Sequence, residues 1–290
     1  MKSSLFSGLA ASFMVCGAYG AAYSTNFNSL VFEGDVDGQD GWTVSDTTDQ
    51  YSQVAEANVN RLLPLDASLV LQLGDAKAVT TPPPGPSVAL AHAYEGTVGQ
   101  TNVAFDFVLL DSRTTAAGFT YRDTFGISIS NAGSNIFSIG FVPDAQSATP
   151  STNIAQWNLV YQLGNATTVD LNMAVFEGSQ YNFNLAFNPN IGNPALTDFL
   201  LTIKSDVTPG GLTDGVTNGL RNSGGAIPSF SLASSAATDE FNVFWAKEAA
   251  NPGYGSNSIL MDNLSVVPEP SSSLLLCLAG LGLACRRKRA

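Results

Sequence analysis

Apolar and polar residues alternate with a period of two along most of this chain, and few patterns restrict a fold more tightly. Phe125-Gly-Ile127-Ser-Ile129-Ser puts its apolar side chains on one side of an extended segment. Tyr181-Asn-Phe183-Asn-Leu185-Ala-Phe187-Asn repeats the pattern, and Val103, Phe105, Phe107 and Leu109 share a face in the same way. Successive side chains of a strand point to opposite sides of a sheet, so this period predicts strands with one buried face. Similar segments at 26–32, 68–73, 88–94, 136–142, 157–163, 169–176, 199–203, 241–245 and 258–266 bring the total to about a dozen strands. No stretch between them sustains a helical period with caps. The composition agrees, because only 12% of residues are charged, about half the usual share, and the strong helix formers Lys, Glu and Arg are correspondingly scarce. The predicted fold is all-β, a two-sheet β-sandwich of jelly-roll type.

Two stretches interrupt the strands. Thr80-Thr-Pro-Pro-Pro-Gly-Pro86 cannot supply ladder donors and is expected to be an exposed connection. Residues 208–226, rich in Gly, Asn and Thr, are expected to form a long surface loop. Matching strands flank both stretches, and no internal repeat is evident, so residues 23–266 are expected to form one domain. This body carries seven basic and 23 acidic residues, a net charge of −16. Such a charge excludes nucleic acid as a partner and favours cations or neutral polymers. The body also contains no cysteine, which excludes an internal disulfide, a thiolate metal site and a cysteine nucleophile.

Both ends differ from the body. Lys2, an apolar stretch from Leu5 to Val15 and the small residues Gly17, Ala18, Gly20, Ala21 and Ala22 compose a secretory signal peptide over residues 1–22. The other end reads Pro268-Glu269-Pro270, three serines, an apolar run from Leu274 to Ala284, and then Arg286-Arg287-Lys288-Arg289. The run is shorter than the roughly 20 residues that span a bilayer comfortably. Snorkelling basic residues bring it close to a thin-membrane span, and the positive-inside rule holds the extreme terminus in the cytoplasm.

This tail, residues 267–290, resembles the PEP-CTERM sorting signal, which orders a Pro-Glu-Pro motif, a short hydrophobic helix and an Arg-rich terminus in the same way. The resemblance implies processing by exosortase, a membrane-bound cysteine protease, with Pro268, Glu269 and Pro270 as the recognised motif. It also implies transient anchoring to the inner membrane and delivery to the cell envelope, outer surface or extracellular matrix of a Gram-negative-type bacterium that makes extracellular polysaccharide. A plain C-terminal membrane anchor is the alternative. A second resemblance rests on Asn26-Phe27, on Gly38-Gln39-Asp40-Gly41-Trp42 and on Met261-Asp262-Asn263-Leu264-Ser265-Val266. These look like the first and last strands of concanavalin-like domains, in which the terminal strands often pair side by side. The implication is a fold, with a leaning towards glycan contact.

Within the body, Glu33-Gly-Asp35-Val-Asp37-Gly-Gln-Asp40 is the densest acidic cluster. It is similar to the Glu-x-Asp-x-Glu catalytic strand of laminarinase-like glycoside hydrolases, but Asp37 stands where a second Glu belongs and the segment is a Gly-rich turn, so no catalytic residue is assigned. Asp35, Asp37 and Asp40 offer hard oxygen ligands and are a candidate calcium site, with a solvated acidic turn as the alternative. His92, the single histidine, is expected to be a packing residue. Trp42 and Trp157 are candidate sugar-stacking platforms, with core packing as the alternative, and Trp245 is expected in the core. Asn182 and Asn184, with Asn188, form a row that could hydrogen-bond a glycan along one sheet face or simply be solvated. Three functions fit: a non-enzymatic, surface-sorted sandwich associated with exopolysaccharide or biofilm; a secreted glycoside hydrolase or lyase that uses carboxylates alone; and a structural envelope protein without glycan affinity.

Overall fold

The computed structural model describes residues 22–30, 36–45, 52–56, 69–74, 87–97, 101–111, 123–143, 156–164, 167–188, 198–207, 220–222, 238–246 and 257–268. In chain order the strands are β1 (Tyr23–Thr25), β2 (Trp42–Val44), β3 (Ser52–Glu56), β4 (Leu69–Gly74) and β5 (Ser87–Thr97). They continue as β6 (Thr101–Asp111), β7 (Thr124–Asn131), β8 (Ser134–Pro143), β9 (Gln156–Leu163) and β10 (Val169–Phe176). The last are β11 (Gln180–Asn188), β12 (Asp198–Val207), β13 (Leu220–Asn222), β14 (Thr238–Ala246) and β15 (Asn257–Pro268).

They form two antiparallel sheets. The larger has the order β13-β12-β11-β6-β15-β4-β3, with β1 also paired to β15, and the smaller has the order β10-β9-β8-β7-β14-β5-β2. The chain passes repeatedly from one sheet to the other, which is the jelly-roll arrangement expected from the sequence. Period-two alternation survives in the burial: Trp157, Leu159, Tyr161 and Leu163 of β9 are buried while the residues between them are partly exposed. The buried faces meet in one apolar core. Aromatic contacts cross between the sheets, with Phe107 on β6 against Phe141 on β8 at 4.9 Å and Phe137 on β8 stacked on Phe187 of β11 at 4.8 Å. Ring pairs of this kind stabilise by about 1 kcal/mol beyond the area they bury.

The described strands follow most of the predicted segments, while β2 and β3 lie outside them, and two further corrections apply. Residues 26–30 are a turn and not a strand, because Phe27 takes a positive φ of 58° and the Leu30 N–H closes back onto the Phe27 carbonyl. The opening strand lies just before it, at Tyr23–Thr25. Within the predicted loop 208–226, Leu220–Asn222 pairs with β12. The expected pairing of the terminal strands is present: Tyr23 faces Val266, Ser24 faces Ser265 and Thr25 faces Leu264. The proline-rich stretch 80–86, the tail from residue 269 and the leader, except Ala22, lie outside the described residues.

Candidate functional site

Three strands of the larger sheet bring polar residues together on its outer face. Odd-numbered residues of β6 (Val103, Phe105, Phe107) point into the core, so Asp106 points outward between Ala104 and Val108. Register places Asp106 opposite Asn182 of β11 on one side and Asp262 of β15 on the other. Two carboxylates facing across adjacent strands normally repel. Here amide donors take up the charge. Asn182 Nδ2 donates to Asp106 Oδ1 at 2.9 Å, and Asn263 Nδ2 donates to Asp106 Oδ2 at 2.9 Å. Asn184 Nδ2 extends the chain by donating to Asn182 Oδ1.

A β-bulge puts Asn263 in position to do this. Between Asp262 and Ser265 the last strand advances three residues while β6 advances two, and Asn263 takes up the extra residue with φ 51°. Asparagine tolerates that left-handed conformation better than most residues, and its N–H is held by Asp262 Oδ1 at 2.7 Å. Beside the bulge a cleft of 530 Å³ lies over the paired strands β1 and β15 and the turn that follows β1, bordered by Ser24, Asn26, Ser29, Asp40, Asn263 and Ser265. Hydroxyls and amides dominate the surface from Asn184 to this cleft. These groups both donate and accept hydrogen bonds, which is what a polyhydroxyl ligand requires.

The acidic turn has a structural use. The Gly38 N–H bonds to the Trp42 carbonyl and the Trp42 N–H to the Gln39 carbonyl, each at 2.9 Å, closing a tight loop. Gly38 and Gly41 sit at φ 75° and 81°, where a side chain is strained. Asp37 Oδ1 accepts from the Val44 N–H at 3.0 Å, and Asp40 Oδ2 accepts from the Tyr23 hydroxyl at 2.9 Å. Asp35 lies outside the described residues. Among the described residues, no three His, Cys, Asp or Glu side chains are grouped to hold a metal ion.

The structure corrects the candidate sugar platforms. Trp42 and Trp157 are both 0% exposed, so neither offers a ring face to a ligand. Trp42 packs against Phe27 and His92 and donates from Nε1 to the Tyr23 hydroxyl at 2.9 Å. Trp157 Nε1 donates to the Asp123 main-chain carbonyl, and Trp245 Nε1 to the buried Asp123 carboxylate, each at 3.1 Å. His92 is buried, stacked on Tyr23 at 3.6 Å, and its Nε2 bonds to the Asp40 carbonyl at 2.8 Å. A carbonyl only accepts, so Nε2 carries the proton there. Burial and the bond to Asp40 hold the Tyr23 hydroxyl in its protonated form, well above the ordinary tyrosine range.

Sequence reasoning found Asn182 and Asn184 and missed Asp106 and Asn263 as their partners. A charged residue at an outward position in the middle of a strand, between Phe105 and Phe107, was the available signal for Asp106.

The chain matches the PEP-CTERM protein-sorting motif over residues 266–289. That motif marks an exported, envelope-targeted protein that exosortase processes. No curated protein matches the chain. Among solved structures, the marine PL-14 alginate lyase from Aplysia kurodai aligns at 8% identity over 86% of this chain and 98% of its own, with a TM-score of 0.49. Lectin II from Ulex europaeus aligns at 10% identity over 85% of this chain and 97% of its own, with a TM-score of 0.45.

Proposed function

We propose that this exported sandwich is a non-enzymatic matrix protein that binds neutral extracellular polysaccharide along the outer face of its larger sheet. The observation that carries this reading is the hydrogen-bonded row Asn184–Asn182–Asp106–Asn263, which runs across three strands into the cleft beside β1. Its amides are preorganised by one another, so binding a sugar hydroxyl would order few side chains and cost little entropy. Each oxygen of the Asp106 carboxylate accepts from an amide, which fixes its orientation as an acceptor in this row. The acidic body disfavours anionic polymers at long range, which points to neutral glycans. Delivery to the envelope of a Gram-negative-type, biofilm-forming cell would place the row beside such polymers. The test is a glycan array probed with the tail-free protein, with and without calcium. Binding to neutral glycans supports the reading, and silence across the array in both conditions contradicts it.

A further inference from the structure

The sorting motif and the folded body share residues. The matched motif begins at Val266, while β15 runs on to Pro268. Up to Val266 this strand is held on both sides, by Tyr23 of β1 and by Val103 of β6. Val266 itself is 1% exposed and belongs to the core. Beyond it, Val267 faces Asn102 and Pro268 faces Thr101 on β6, and among the described residues no strand pairs with them on the other side, where β1 begins at Tyr23. The first residue of Pro268-Glu269-Pro270 is therefore part of a β-ladder, with no linker between it and the sandwich.

The hold on these last residues is weak. Proline has no N–H to give the ladder and is tolerated where a strand has a free edge. Val267 is 38% exposed where Val266 is 1% exposed, so it is held by less apolar burial than its neighbour. Local opening of such a strand end lies at the low end of a protein's stability range. A protease must take its substrate in an extended, unpaired form, and a residue engaged with a neighbouring strand cannot be taken up at the same time.

We propose that the sandwich gates its own sorting: the tail becomes available to the processing enzyme only when Val267 and Pro268 peel from β6, and Val266 is the stop beyond which the strand does not open. The folded body thereby limits how fast the tail is removed while keeping the core closed.

The experiment follows removal of the tail from the full-length chain by pulse-chase in cells that supply exosortase. In one variant, an eight-residue Gly-Ser segment inserted between Val266 and Val267 carries the motif up to roughly 26 Å from the ladder. In another, Asn102→Cys and Val267→Cys join two directly opposed residues of β6 and β15, a separation that suits a disulfide. The single-cysteine variants control for pairing with the cysteines of the two ends. The linker should accelerate processing at least threefold. The oxidised double-cysteine chain should be processed at least tenfold more slowly than the same chain after reduction. Equal rates for wild type and linker variant would overturn the gate, as would equal rates for the oxidised and reduced forms. The second comparison uses one protein in two redox states, so it remains decisive if the linker disturbs the fold.

Discussion

Replacing Asp123 by alanine removes a buried carboxylate that anchors Trp245, and the loss can be worked out from its contacts. Asp123 is 1% exposed, accepts the Trp245 indole N–H through Oδ2 and accepts the Trp157 indole N–H through its main-chain carbonyl, each at 3.1 Å. The main-chain bond survives the substitution. The side-chain bond does not, and Trp245, itself 1% exposed, is left with a buried donor. A hydrogen bond to a charged partner, lost so that its donor is stranded, costs about 2–3 kcal/mol. For a body of this size each kcal/mol moves Tm by about 2–4 °C, so Asp123→Ala should lower Tm by roughly 4–12 °C. Circular dichroism melts of the wild type and the variant measure this directly. Adding Trp245→Phe should make the two costs non-additive by about 1–2 kcal/mol, since either change alone removes the same bond. An Asp123→Ala melt within about 1 °C of wild type, or simple additivity, would refute the argument that this pair is coupled.

Two further outcomes follow from the interior. Burial raises the Tyr94 pKa to about 12, with the neighbouring Thr238 and Thr101 pulling it part of the way back. The folded state therefore keeps a proton that the unfolded chain gives up near pH 10, and stability is intact below pH 10 and falls between pH 10 and about 12. The fall amounts to about 2–3 kcal/mol, so Tyr94→Phe should melt with a shallower alkaline slope than wild type, and parallel slopes would contradict this. Gly126 of β7 lies under the Phe244 ring, opposite Gly140 of β8, and a Cβ there would run into that ring and the Ile139 carbonyl oxygen. Gly126→Ala should cost about 1–3 kcal/mol, measured as a lower midpoint in urea. An unchanged midpoint would mean that the strands part more easily than the packing implies.

The strands were legible because their period is long and clean. Phe125–Ile129 and Tyr181–Phe187 state their own buried face, and nothing distant is needed to read it. Short strands gave no such signal. Trp42–Val44 and Leu220–Asn222 have three residues each, too few to show a period, and only their partners β5 and β12 make them strands. The same limit governed the site. Asn182 and Asn184 were visible as a row, but the bond from Asn182 to Asp106 spans 76 residues, and the bond from Asn263 spans 157. Register between strands decides both, and a bulge of one residue turns Asn263 towards Asp106. Trp42 and Trp157 failed as sugar platforms for a related reason. Alternation shows that a residue has a face, and only the pairing of sheets shows which face is covered. The glycines at 38 and 41 signal the turn that residues 36–41 form, while the use of Asp40 to hold Tyr23 depends on where β1 lies.

The measurement that bears most directly on the proposed function is affinity electrophoresis of the tail-free protein through gels containing neutral or anionic polysaccharide. Wild type is compared with the double variant Asn182→Ala, Asn184→Ala. Both residues are at least partly exposed on the outer face, so the variant should fold and melt within about 1 kcal/mol of wild type. A neutral polymer should retard the wild type and not the double variant, while an anionic polymer should retard neither. Retardation that persists in the variant, or wild type that moves freely through every neutral gel, would contradict the claim that this row binds glycan.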